Sequence, residues 1–168
     1  YYPNSNLGNY KPFNSGDIGD PADSPDAITV AVEKSEQDED SDMADFTSWG
    51  PLPDYTLKPD VSAPGVDIIS TGNDNKYVKM DGTSMATPFN SGVAALVIQR
   101  LKKTNPNLHG AALVQAVKGL IMSTANPQLD VNSDNSAIVS LRRQGAGQIN
   151  AGAATSSQFI LLPMMELV

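Results

Sequence analysis

Cysteine is absent from the 168 residues, which excludes a disulfide framework and any thiolate metal site. That absence fits the cytosol and an extracellular surface equally. Histidine occurs once, at His109. A hydrolase built on a Ser–His pair must therefore use His109 or take its imidazole from elsewhere. No apolar run approaches the ~20 residues that a membrane helix needs; the longest, around Gly92–Ile98, is far shorter. No secretory leader is visible, because Tyr1-Tyr2-Pro3-Asn4 is neither basic nor followed by an apolar stretch. Internal repeats are also lacking. Positive charge is scarce: 11 Lys and Arg stand against 19 Asp and Glu, a net charge of −8. The imbalance sits in front, with a balance of −10 over residues 1–60 and +2 over residues 61–168. A nucleic-acid partner needs a basic face and is not expected.

What is present is the composition of a folded domain, 40% hydrophobic and 18% charged. Residues 1–26 are loop-forming, rich in Asn, Asp, Gly, Pro and Ser. The β-branched run Ala27–Val32 predicts a buried strand. An acidic stretch, Glu33–Asp45, follows and reads as a solvated linker. Val66–Ser70 predicts a strand, Thr71–Asn75 a hairpin turn and Tyr77–Met80 the returning strand. From Gly82 the period changes. Met85, Phe89, Val93, Leu96, Val97 and Leu101 recur at helical steps with small residues between them, the pattern of a core helix ending before Asn105-Pro106. A second helix is predicted from about His109 to Met122, a Gly-rich turn at Gln144–Gln148 and a short helix at Asn150–Ser157. Strands interleaved with long helices give an α/β layered fold.

The segment Gly82-Thr83-Ser84-Met85-Ala86-Thr87-Pro88 carries the chemistry. A glycine allows a sharp turn into a helix. A serine then sits where unpaired backbone N–H groups and the positive end of the dipole converge, a place suited to the oxyanion of acyl transfer. Pro88 is tolerable within the first turn. Taken alone, the triplet fits a helix N-cap serine just as well.

The longer run Gly82–Leu96 resembles the serine block of the subtilisin family, G-T-S-M-A-x-P-x-x-x-G-x-x-A-L. Upstream, Lys58-Pro59-Asp60-Val61-Ser62-Ala63-Pro64-Gly65 is similar to that family's K-P-D-[IV]-x-A-P-G block, and Phe46-Thr47-Ser48-Trp49-Gly50-Pro51 to its F-S-S-x-G-P block. Downstream, Arg142–Ala151 resembles the segment that closes the catalytic domain in large Gram-positive cell-envelope proteinases of the lactocepin, C5a peptidase and chemokine peptidase type. The resemblance spans roughly Asp20 to Ala154. It implies a subtilisin-like three-layer fold with a mainly parallel sheet, serine endopeptidase activity and an extracellular, cell-surface setting. Ser84 takes the place of the nucleophile, its N–H that of one oxyanion donor, and Thr83 lies beside that hole. Pro25 matches a family proline that often follows a cis bond.

The family's triad runs Asp, His, Ser along the chain, and neither the D-[ST]-G nor the H-G-T-H nor the A-G-N block is found here. His109 follows the serine and reads as a surface residue near a helix start. The resemblance therefore implies a partner, an N-terminal fragment of the same protease that supplies His, Asp and the oxyanion Asn and completes the sheet. Without it, Ile28–Val32, Ile68–Ile69 and the core helix should face water. On this reading residues 1–156 form the C-terminal part of a catalytic domain, and 157–168 begin a following segment. Residues 33–45 then lie where the large members carry a protease-associated insert. The chemistry needs no cofactor; Asp17, Asp20, Asp23 and Asp26 are candidate ligands for structural calcium. Met85, next to the nucleophile, is a candidate for oxidation. Trp49 and Tyr77 read as packing residues. The alternative is an inert relic or interaction module that keeps the fold. An α/β-hydrolase is disfavoured, because Ala86 stands where G-x-S-x-G needs glycine.

Overall fold

A computed structural model of the chain describes residues 18–34, 43–130, 133 and 137–158. Asp17, the centre of the acidic run and Phe159–Val168 lie outside them. Four strands and four helices follow in the order β1 (Val30–Glu33), β2 (Val61–Pro64), β3 (Ile68–Gly72), β4 (Lys76–Met80), α1 (Thr83–Thr104), α2 (Gly110–Ser123), α3 (Leu141–Gln144) and α4 (Ala151–Ser156). The α/β reading holds. β1 and β2 pair in parallel with Val30 opposite Val61, and β3 and β4 pair antiparallel with Ile68 opposite Met80.

The period-2 geometry of β1 explains its all-apolar sequence. Val30 and Val32 point to one face, where Val61, Ala63 and the helices α1, α2 and α4 enclose the main core around Val97, Leu120 and Ile121. Ala31 points to the other face and packs with Met43 and Val139. A strand covered on both sides needs no polar alternation. β2, within the K-P-D block, is not among the strands that the sequence predicts. It is a strand in its own right, extended by a parallel bridge from Ser62 to Gln148. Helix α3, within the closing segment, was not anticipated either.

β1 corrects one expectation: Val30, Ala31 and Val32 are 8%, 2% and 0% exposed rather than open to water. The hairpin meets it, since Ile69 is 70% and Tyr77 77% exposed, so Tyr77 does not pack. Its turn uses Asp74 and Asn75 at positive φ, which these side chains tolerate. Helix α1 divides the same way. Ala86, Asn90, Val93, Val97 and Leu101 form its buried stripe, whereas Phe89 and Leu96 remain about half exposed. The helix is one-sided in its packing although its sequence is apolar on more than one side.

Candidate active site

The serine segment is held by contact between two sequence blocks. The Gly82 N–H donates to the Gly65 carbonyl at 2.8 Å. A Cβ on Gly65 would lie 2.7 Å from the Gly82 carbonyl oxygen and 2.9 Å from Val32 Cγ1, so the backbones can meet only because residue 65 has no side chain. Gly82 itself has φ 149°, a conformation that L-residues avoid. The chain leaves β4, turns at Gly82 and enters α1 at Thr83.

Gly82, not Ser84, caps the helix. Ser84 is therefore the second residue inside α1, and the simple N-cap reading of this serine is overturned. The N–H groups of Met85 and Ala86 both reach the Gly82 carbonyl, at 3.0 and 3.3 Å. The Ser84 N–H, one of the four that a helix start leaves without an internal acceptor, meets no acceptor among the described residues. Ser84 is exposed, and Thr83 is partly buried beside it.

A cavity of about 540 Å³ opens at this helix start. Thr83 and Thr87 form its helical side. Asp20, Pro21 and Ala22 and the run Ala27–Ala31 form the wall facing them, with Thr47, Ser48 and Pro59 closing it. Apart from Asp20, a candidate calcium ligand, neither this wall nor Thr87 was read from sequence as part of a site. The loop chemistry of residues 18–26 marked a surface segment but gave no sign of which helix it would face.

The wall rests on a buried charge cluster. Lys58 Nζ and Lys118 Nζ contact the two oxygens of Asp60 at 2.7 and 2.9 Å. Lys58 also donates to the Ala27 carbonyl at 2.8 Å, and Lys118 to the carbonyls of Pro25 and Ala27 at 3.1 and 3.0 Å. Asp60 accepts from the Thr29 N–H at 2.7 Å. Burial pushes the Lys58 ammonium below its ordinary pKa, and the Asp60 carboxylate works against that shift. The K-P-D block is thus a structural device, with a lysine and an aspartate two residues apart pairing under the site.

The other sequence blocks interlock nearby. Arg142 Nε donates to the Gly50 carbonyl at 2.7 Å, and the Gly50 N–H returns a bond to the Arg142 carbonyl at 2.9 Å. The Arg143 guanidinium lies over the Trp49 ring, 5.0 Å from its centroid, so Trp49 packs as expected. Gln144, fully buried, bonds through Oε1 to the Gln128 N–H at 2.7 Å and through Nε2 to the Val139 carbonyl at 2.6 Å.

The remaining predicted residues separate from the serine. His109 is the exposed N-cap of α2, beyond the far end of the 22-residue α1; that helix is roughly 33 Å long at ~1.5 Å per residue. It cannot act on Ser84. Pro25, for which the resemblance leaves cis and trans equally open, follows a trans bond. Cis bonds precede Pro21, Pro51 and Pro59 instead. Pro25 occupies the second position of a turn closed from the Ala27 N–H to the Ser24 carbonyl at 3.2 Å, where a trans proline fits. Among the described residues, no three of the metal-binding residue types converge to hold a metal ion.

Comparison with known proteins agrees with this arrangement. The Subtilase family (Peptidase_S8) profile matches residues 5–147. The PIII-type proteinase of Lactococcus lactis subsp. cremoris is 46% identical over 134 residues, covering 76% of this chain and 7% of that protein. The C5a peptidase of Streptococcus pyogenes is 36% identical over 115 residues, covering 68% of this chain and 10% of that protein. The chain thus spans less than a tenth of the lactococcal relative and a tenth of the streptococcal one. Among solved structures, the prenylagaramide maturation protease PagA superposes with a TM-score of 0.63 at 25% identity, over 84% of this chain and 46% of that one. The Clostridium perfringens CspB protease shares the fold with a TM-score of 0.66, over 83% of this chain and 28% of that one. With its serine the second residue of a glycine-capped helix and its sequence blocks locked around it, the chain belongs to the subtilase family.

Proposed function

We propose that this chain is the serine-bearing part of a serine endopeptidase, with Ser84 as nucleophile. The observation that carries the reading is the placement of Ser84, exposed in the first turn of α1 with a free N–H of its own, directly after Thr83, which lines a cavity. In the proposed reaction Ser84 Oγ attacks the carbonyl carbon of a peptide bond and its proton passes to an imidazole. The tetrahedral oxyanion accepts a hydrogen bond from the Ser84 N–H. Collapse breaks the C–N bond, and the amine leaves with that proton. Water then hydrolyses the acyl-enzyme, with the same imidazole as base. No cofactor takes part.

The imidazole must come from outside this chain, since the only histidine is at the wrong end of α1. We assign it, with the triad Asp and the oxyanion Asn, to an N-terminal segment of the same protease. The half-exposed Phe89 and Leu96 on α1 support this, as an apolar stripe beside a nucleophile needs a cover. On this reading residues 1–156 are the C-terminal part of the catalytic domain, 33–45 mark the insertion point and 157–168 lead onward. The lactococcal and streptococcal relatives favour a cell-surface protease of a Gram-positive bacterium acting on protein substrates.

Labelling with a fluorophosphonate probe, followed by mass spectrometry, tests this on the isolated chain and on the intact protein. The expected result is a phosphonylated Ser84 only in the intact protein. An unlabelled Ser84 in folded, intact protein would leave the inert-fold alternative.

A further inference from the structure

The cavity wall and the nucleophile belong to different parts of the fold. Ser84 rides on α1, whereas the wall is the stretch 20–31. Its local bonds, such as Ala22 N–H to the Gly19 carbonyl at 2.9 Å, shape its turns but do not fix its distance from α1. From Thr29 onward it is also held by backbone bonds to β2; up to the Thr29 N–H, its long-range anchors are the atoms of one cluster. The carbonyls of Pro25 and Ala27 are met by two ammonium groups, and the Thr29 N–H by the Asp60 carboxylate. Two positive charges and one negative leave a net positive charge facing those carbonyl oxygens. Lys58 and Asp60 precede β2, and Lys118 comes from α2, so the wall is tied to the sheet and to the second helix.

The three charges differ in burial. Side-chain exposure is 1% for Lys58, 5% for Asp60 and 21% for Lys118. Asp60 cannot be changed without leaving the buried Lys58 uncompensated, and removing Lys58 takes away the most buried partner of Asp60. Lys118 is open enough for water to take its place, while Asp60 keeps Lys58 as partner. Loss of Lys118 frees the Pro25 carbonyl and leaves Ala27 held by Lys58 alone, with the helix start and Ser84 untouched.

We infer that Lys118 is a positioning residue for the substrate cavity: acting through Asp60 and the carbonyls of Pro25 and Ala27, it sets the fit of the substrate side chain that enters beside Ser84. This rests on the reading of Ser84 as nucleophile. The test uses intact protease carrying Lys118→Met or Lys118→Arg and a set of internally quenched octapeptides. One has only alanines around the scissile bond, and the others carry a single phenylalanine at successive positions. For Lys118→Met, KM rises about tenfold for the one position whose side chain fills the cavity, while kcat and the all-alanine peptide change by less than about twofold. Lys118→Arg, which keeps donors for the carboxylate and the carbonyls, restores the parent KM. A KM change spread evenly over all positions, or none, overturns the inference. Should Lys118→Met not fold, Lys118→Gln takes its place with the same KM reading. Fluorophosphonate labelling of Ser84 in the same samples separates the two ideas. Labelled parent and variant with unchanged KM values sink the role of Lys118 alone, and an unlabelled parent sinks the nucleophile reading.

Discussion

The two sheets of this chain are nearly equal in size and opposite in character. β1 and β2 pair four residues each in parallel, seven of the eight buried. β3 and β4 pair five each in an antiparallel hairpin with none of the ten buried. A parallel pair cannot be closed by a tight turn, and it is stable only when helices cover it. A hairpin closes itself and can stand in water while its edges and faces wait for a neighbour. Ser84 lies where the two regimes meet, four residues after β4 and at the start of the helix that covers β1 and β2. The buried sheet holds the site, and the exposed hairpin and the outer stripe of α1 border it.

The sharpest test of this contrast is Gly145→Ala in the intact protein. Gly145 has φ 64°, and an added Cβ would stand 2.4 Å from the Asp60 carbonyl. It should cost about 4 kcal/mol or more, read as a large drop in the denaturation midpoint. Lys58→Met leaves Asp60 with Lys118 alone and should cost about 3 kcal/mol, at the low end for breaking a buried pair because one partner stays. Paired truncations compare the two regions directly. Leu120→Ala in the main core should cost about 3 kcal/mol, and Ile69→Ala on the hairpin should stay within about 0.5 kcal/mol. Equal losses in that pair would mean that the hairpin is covered in the intact protein.

The smallest effect is electrostatic. Asp54 accepts from the Thr56 N–H at 2.9 Å, which holds its carboxyl below the ordinary value of 3.8. A carboxylate whose folded pKa is depressed contributes stability above the unfolded pKa and loses it as pH falls through the folded one. Asp54→Ala should therefore lower the urea midpoint slightly at neutral pH, and the difference should vanish in strong acid. A difference that persists in strong acid would assign it to packing.

Several parts of this site were legible in the residues. The serine block is local: a glycine, the serine two positions later and a small-residue helix state the turn, the candidate nucleophile and the helix start within fifteen residues. The α2 face and the hairpin were legible for the same reason, since period and turn chemistry are short-range signals. The cavity wall was not. Residues 20–31 meet Thr83 and Thr87 across some sixty positions, and only packing brings them together. Lys118 had no signal at all, because a lysine between the apolar Val117 and Leu120 looks like a solvated position. For Pro25 the residues left cis and trans open, and the bond is trans within a turn of its own.

Most of the elements and the family were readable from the residues, and Ser84 stood out as candidate nucleophile, because helix period, turn residues and the serine block are carried by neighbours along the chain. The count of a single histidine likewise showed that any imidazole from this chain would have to be His109. Only the tertiary structure decided that Gly82 rather than Ser84 caps the helix, that β1 is covered on both faces, and that Lys58, Asp60 and Lys118 share one cluster beneath the cavity. Those facts depend on backbone angles and on contacts between residues tens of positions apart, which no local pattern encodes.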